Sequence, residues 1–92
     1  MAIGVGLARL DASFGTYESF VPEVDLPIED ERYPRLSLID PYDSLSFTSY
    51  QAEAMLPDFE RLVEARPDTA PVLDLVRRCA SEKIWVLWFM GD

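Results

Sequence analysis

The sequence predicts an α+β fold in which two helices pack on one face of a three- or four-stranded, mostly antiparallel sheet. Three observations support this prediction. Apolar residues alternate near the start of the chain, two later segments carry apolar residues at helical spacing, and the chain closes on an apolar run that suits a central strand. With 92 residues, the chain is short enough to form one domain over residues 1–92.

In the first 21 residues, the pattern predicts one strand followed by a segment whose structure it does not decide. Apolar side chains alternate with glycine and alanine over residues 3–11, which indicates a strand. Residues 12–21 hold aromatic side chains between small polar residues, and they form either a loop or a short second strand.

Residues 22–34, which we call the acidic arm, contain three prolines and five acids, and this composition argues against regular structure. Val24, Leu26 and Ile28 alternate with acids or proline, and an extended segment lying over the core would explain that alternation. The arm is therefore either a solvated acidic loop or a segment that contacts a basic partner.

A β-hairpin is predicted next. Residues 35–39 are expected to form a strand with Leu36 and Leu38 facing inward, and residues 44–47 alternate again. Between them lie residues 40–43, where proline follows aspartate as type I turns prefer. We call residues 40–43 the Asp-Pro-Tyr turn.

The first helix is predicted over residues 50–65. Thr48 or Ser49 can cap it, and Gln51 or Glu53 lies at the spacing of a capping box. The predicted apolar face consists of Met55, Leu56, Phe59, Leu62 and Val63. The acids expected largely outside that face are Glu53, Asp58, Glu60 and Glu64.

Pro57 interrupts this helical pattern, and a proline in a helix interior costs about 3 kcal/mol. Either the helix is kinked at Pro57, or residues 50–56 form a separate turn and Pro57 opens the main helix.

A second helix is predicted over residues 70–81, with Asp68 or Thr69 as its cap and Pro71 in its first turn. Its predicted core face consists of Val72, Leu75, Val76, Cys79 and Ala80.

The last predicted strand, residues 83–90, is apolar on both faces, as central strands covered on both sides are. Two helices can cover only one face of a small sheet. The other face, formed by Trp85 and Leu87 or else by Ile84 and Val86, therefore needs a loop, a second protomer or a partner.

Common catalytic equipment is missing from the composition. The chain has no histidine, and its single cysteine, Cys79, lies on a predicted core face. The sequence contains no phosphate loop and no GxGxxG motif, and residues 40–46 lack the spacing of a calcium loop. We therefore expect no enzyme activity, no cofactor and no metal.

The charge balance limits the partners that the chain can bind. Seventeen acids against eight bases give a net charge of −9, which disfavours nucleic acid and anionic membranes and favours a basic protein. The first residues lack the basic flank of a signal peptide, and the longest apolar run is too short to span a bilayer. We expect a soluble cytoplasmic protein.

The run Ile39-Asp40-Pro41-Tyr42-Asp43, followed by Phe47 and a Glu-rich helix, resembles a group of small uncharacterised bacterial proteins. Those proteins carry an Asp-Pro-Tyr-Gly type of turn after a strand, and many end in an aromatic strand closing with Gly-Asp, as 89–92 does here. The resemblance covers residues 35–92. It implies that the turn and the final strand form a unit. It implies no activity, because no activity is established for those proteins. Asp43 replaces the glycine of that pattern, so the turn type here can differ.

These observations leave two functional hypotheses. The first is a small acidic protein-binding module, an inhibitor or immunity-type protein that occupies a basic surface. Its predicted contact residues are Glu29, Asp30, Glu31 and Tyr33 in the acidic arm and Asp40, Tyr42 and Asp43 in the Asp-Pro-Tyr turn. The second is a structural homodimer or accessory subunit without catalytic activity, which buries the second sheet face through Trp85 or Trp88.

Overall fold

A computed structural model describes residues 2–91 and shows a four-stranded antiparallel sheet with two helices. The order across the sheet is β2-β1-β4-β3. This architecture confirms the predicted α+β fold. The elements in chain order are β1 Ala2–Arg9, β2 Ser19–Asp25, β3 Ser44–Phe47, α1 Ser49–Ala65, α2 Ala70–Ser81 and β4 Trp85–Met90.

One face of the sheet forms the core together with both helices. Side chains alternate between the two faces of a strand, so the register places Val21, Val5, Phe89 and Leu45 in one row across all four strands. Val5 and Phe89 at the centre of this row are fully buried. The helices supply the opposite wall of the core with Met55, Phe59, Leu62, Val72, Leu75, Val76 and Cys79.

The second sheet face, which we call the open face, carries no helix. Its central row runs Phe20, Gly6, Trp88 and Ser46. The loop between β1 and β2 folds onto this face, and a Cβ added at Gly6 would lie 2.7 Å from the ring of Tyr17. Glycine at position 6 therefore lets the Tyr17 ring approach β1 closely. Val86 lies two residues before Trp88 in β4 and therefore also faces the open side, whereas Leu87 faces the helices. Of the two alternatives predicted for the second face of β4, the one with Val86 is therefore correct.

The helices begin largely as the sequence predicts. Thr48 caps α1 in a capping box, in which its backbone N–H donates to the Gln51 side chain at 2.8 Å. Pro57 lies on the exposed side within one continuous helix, so the alternative that starts a separate helix at Pro57 is wrong. Thr69 precedes α2 without capping it, because its hydroxyl donates to the Arg66 carbonyl.

The predicted hairpin is wrong, because residues 35–39 do not form a strand. Pro34–Leu38 is a 3-10 helix, and β3 pairs with β4. In a 3-10 helix residues three apart share one side, so Leu36 and Ile39 are buried while Leu38 is exposed.

The acidic arm is more regular at its start than its composition predicts. Strand β2 continues to Asp25 and includes Pro22. Proline has no N–H to donate to a neighbouring strand, and β2 tolerates it because an edge strand has a neighbour on one side only. Val24 within β2 and Leu26 and Ile28 beyond it are all buried, so this segment covers the core as expected. It does not stay extended past Asp25, because the Asp30 N–H donates to the Pro27 carbonyl in a turn. Within residues 2–91, no helix has the length and apolar character needed to cross a membrane.

Candidate functional site

The acidic arm and the Asp-Pro-Tyr turn lie side by side on the surface. Three adjoining depressions occur there, and all three are bordered by Ile28 and Glu29. One continues to Asp40 and Pro41, another reaches Glu31, and the third reaches Tyr42. In the sequence, residues 35–39 lie between these two segments, and the fold brings both segments into one acidic surface.

The Asp-Pro-Tyr turn is fixed by its own first side chain and by the last strand. The Asp40 carboxylate accepts from the Tyr42 backbone N–H at 2.8 Å, whereas the direct backbone bond from Asp43 to Asp40 is long, at 3.5 Å. The Gly91 N–H donates to the Asp43 carbonyl at 2.9 Å. The turn and the end of β4 are thereby joined.

A buried carboxylate on α1 anchors the segment between the arm and the turn. Asp58 is 4% exposed, although the sequence pattern places it largely outside the core face. Its Oδ2 accepts from the Arg35 backbone N–H at 2.7 Å, and its Oδ1 accepts from the Arg61 guanidinium at 2.5 Å. Arg61 also donates to the Arg32 carbonyl at 2.9 Å. These bonds hold the 3-10 helix Pro34–Leu38 against α1.

The charges of this surface divide into one paired acid and several acids without ionic partners. Arg32 donates three side-chain hydrogen bonds to Asp30, the shortest at 2.6 Å, and this contact lowers the pKa of Asp30 to about 2. Among residues 2–91, no ion pair involves Glu29, Glu31, Asp40 or Asp43. All four are exposed, so their negative charge is directed to solvent.

The two tyrosines predicted to be exposed have opposite environments. Tyr42 is 71% exposed, as expected for a side chain that the turn presents. Tyr33 is 5% exposed and lies in the core, with the guanidinium of Arg61 at 6.0 Å from its ring centroid, so its predicted exposure is wrong. The acidic surface also includes Leu38, which the predicted strand placed in the interior. Leu38 is 54% exposed and borders the same depression as Asp40.

The open face is a second surface, and aromatic side chains dominate it. Phe14 is 69% exposed and its ring meets that of Trp88 edge-on at a centroid distance of 4.9 Å. The Tyr17 hydroxyl donates to the Met90 sulfur, and the Tyr17 ring stacks on Phe20. None of the five side chains carries charge, which contrasts with the acidic surface.

The single thiol of the chain lies in the core. Cys79 is fully buried, and burial raises the pKa of its thiol to about 11. No group of three or more potential metal ligands occurs in the part of the chain that the structure describes.

The comparisons with known proteins add no family. No protein-family model, curated protein or solved structure matches the chain significantly. Asp92, the last residue of the Gly-Asp ending on which the resemblance partly depends, lies outside the described residues.

Proposed function

We propose that this chain is a small acidic protein-binding module, an inhibitor or immunity-type protein that occupies a basic surface of a partner in the cytoplasm. The observation that carries the proposal is that exposed acids without an ion pair, Glu29 and Glu31 of the acidic arm and Asp40 of the Asp-Pro-Tyr turn, border adjoining depressions. Asp43 is exposed in the same turn but does not border them. The exposed Tyr42 beside them is the type of side chain that anchors protein interfaces.

The electrostatics of this surface suit fast capture of a basic protein. Arg32 already neutralises Asp30, so Glu29, Glu31, Asp40 and Asp43 are the acids that remain free to meet partner arginines or lysines. Exposed charges of one sign accelerate association with an oppositely charged surface, and salt screens the effect. The same charges disfavour nucleic acid and anionic membranes as partners.

The experiment compares two variants that lose the same net charge. The site variant replaces the free acids by amides (E29Q, E31Q, D40N, D43N). The control variant does the same at exposed helix and loop acids that form no ion pair among the described residues (E53Q, E64Q, D74N, E82Q). Each tagged protein is used to capture partners from a lysate of the source cells at low and at high salt.

We expect the wild type and the control variant to retain the same basic protein at low salt and to release it at high salt. The site variant should lose it in both conditions. Retention by the site variant, or equal loss from both variants, would contradict the proposal.

A homodimer or accessory subunit is the second candidate, and the open face favours it. Phe14 is mostly exposed there and packs on Trp88, which is one of the two tryptophans expected in such an interface. The other, Trp85, lies on the helix side of the sheet beneath Arg78. Sedimentation at micromolar concentration tests this candidate: a dimer that F14S converts to a monomer supports it, and a wild-type monomer rejects it.

A further inference from the structure

The depression between the acidic arm and the 3-10 helix is lined by both aliphatic and acidic side chains. Ile28, Leu38 and Ile39 provide its aliphatic wall, and Glu29 and Asp40 provide its carboxylates. Its volume is about 380 Å³, and it continues into neighbouring depressions of about 310 and 320 Å³ that share Ile28. We call this continuous feature the arm groove.

The combination of surfaces selects one kind of occupant. An arginine side chain has an aliphatic stem that can lie on apolar surface and a planar cation that binds carboxylates in a bidentate manner. Among residues 2–91, the groove acids Glu29, Glu31 and Asp40 form no ion pair, whereas Asp30 is paired with Arg32. Neither Arg32 nor Arg35 borders the groove. Because the groove continues beyond a single side chain, an extended segment fits it better than an isolated residue.

We infer that the arm groove binds an extended basic segment of the partner protein, with an arginine stem against Ile28 and Leu38 and its guanidinium between Glu29 and Asp40. This inference rests on the proposed function and names the feature of the partner that the acidic surface recognises. In this arrangement Leu38 contacts the aliphatic stem of the arginine. Attraction between the acids and a basic partner alone would not need Leu38.

The test titrates the full ¹⁵N-labelled chain with a short flexible peptide containing one central arginine and two flanking lysines. A matched peptide carries citrulline, which has the same shape without charge, at the central position. We expect saturable shifts of backbone amides at residues 28–31 and 37–40, and a large loss of affinity with the citrulline peptide.

Two pairs of variants separate the groove from general acidic attraction. We expect L38S to weaken peptide binding by about threefold to tenfold, whereas L10S, at a somewhat more exposed leucine outside the groove, leaves it unchanged. We expect E29Q/D40N to weaken it by about fivefold to twentyfold and the charge-matched E53Q/E64Q to have little effect.

The inference is overturned if the citrulline peptide binds equally, if shifts spread over all acidic segments, or if L38S binds as the wild type does. Failure of the inference is distinguishable from failure of the proposed function. If partner capture depends on the four free acids while the peptide test fails, the acidic surface binds a partner without using the groove.

Discussion

Removing the Asp58 carboxylate should destabilise the fold more than any other single charge deletion on α1. Asp58 is buried and accepts hydrogen bonds from the Arg35 N–H at 2.7 Å and from the Arg61 guanidinium at 2.5 Å. Hydrogen bonds to a charged group contribute about 1.5–3 kcal/mol each, and half-exposed Arg61 regains part of its share from water. We therefore expect D58A to lower the free energy of unfolding by about 3 kcal/mol.

The conservative variant and a neighbouring acid provide the controls. In D58N the amide oxygen can still accept from the Arg35 N–H, so we expect a loss of about 1–2 kcal/mol. Glu60 is half-exposed and pairs with Arg77 at 3.8 Å, so E60Q should change stability by less than about 0.5 kcal/mol.

The assay is urea unfolding followed by circular dichroism, together with hydrogen exchange of the Arg35 amide. The Arg35 N–H should exchange faster in D58A because its acceptor is gone, while the amides of the sheet stay protected. The reasoning is refuted if D58A unfolds within about 0.5 kcal/mol of the wild type, since that is the range of ordinary surface substitutions.

Three further predictions concern other groups. Because Arg32 lowers the pKa of Asp30 from 3.8 to about 2, ionised Asp30 stabilises the fold at pH values above 3.8, and this contribution disappears as the pH falls through about 2. NMR of the Asp30 carboxyl should show a titration midpoint near 2, and the same midpoint in R32Q would contradict the assigned cause. Cys79 should resist a thiol reagent at pH 8 in the native protein and react once urea unfolds it, so fast native labelling would place the thiol elsewhere. A Cβ at Gly91 would overlap the Pro41 carbonyl, so G91A should cost about 1–3 kcal/mol in urea unfolding, and wild-type stability would show that the turn yields freely.

The elements with a strong local pattern could be predicted from the sequence, and the segments whose conformation depends on tertiary contacts could not. Helix α2 has one clear apolar period, and strand β4 is a continuous apolar run. The 3-10 helix was missed because Leu36 and Leu38 suggest alternation, whereas the buried residues Tyr33, Leu36 and Ile39 are spaced by three.

The candidate site was predictable in its chemistry and not in its geometry. The acids and the exposed Tyr42 follow from composition and turn signals. The arm groove depends on the Arg35 N–H finding an acceptor on α1, at Asp58, which is 23 residues away in the sequence. A buried acid within an otherwise acidic helix has no local signal that separates it from solvated neighbours such as Glu60.

The most direct test of the central claim is the association rate with the captured basic partner, measured by stopped-flow for the wild type and the two charge-matched four-acid variants. At low salt, we predict that the site variant (E29Q, E31Q, D40N, D43N) associates at least about tenfold more slowly and loses most of its salt dependence, while the control variant stays within about threefold of the wild type. Equal slowing of both variants would contradict the account, because net charge rather than the surface formed by the acidic arm and the Asp-Pro-Tyr turn would then govern recognition.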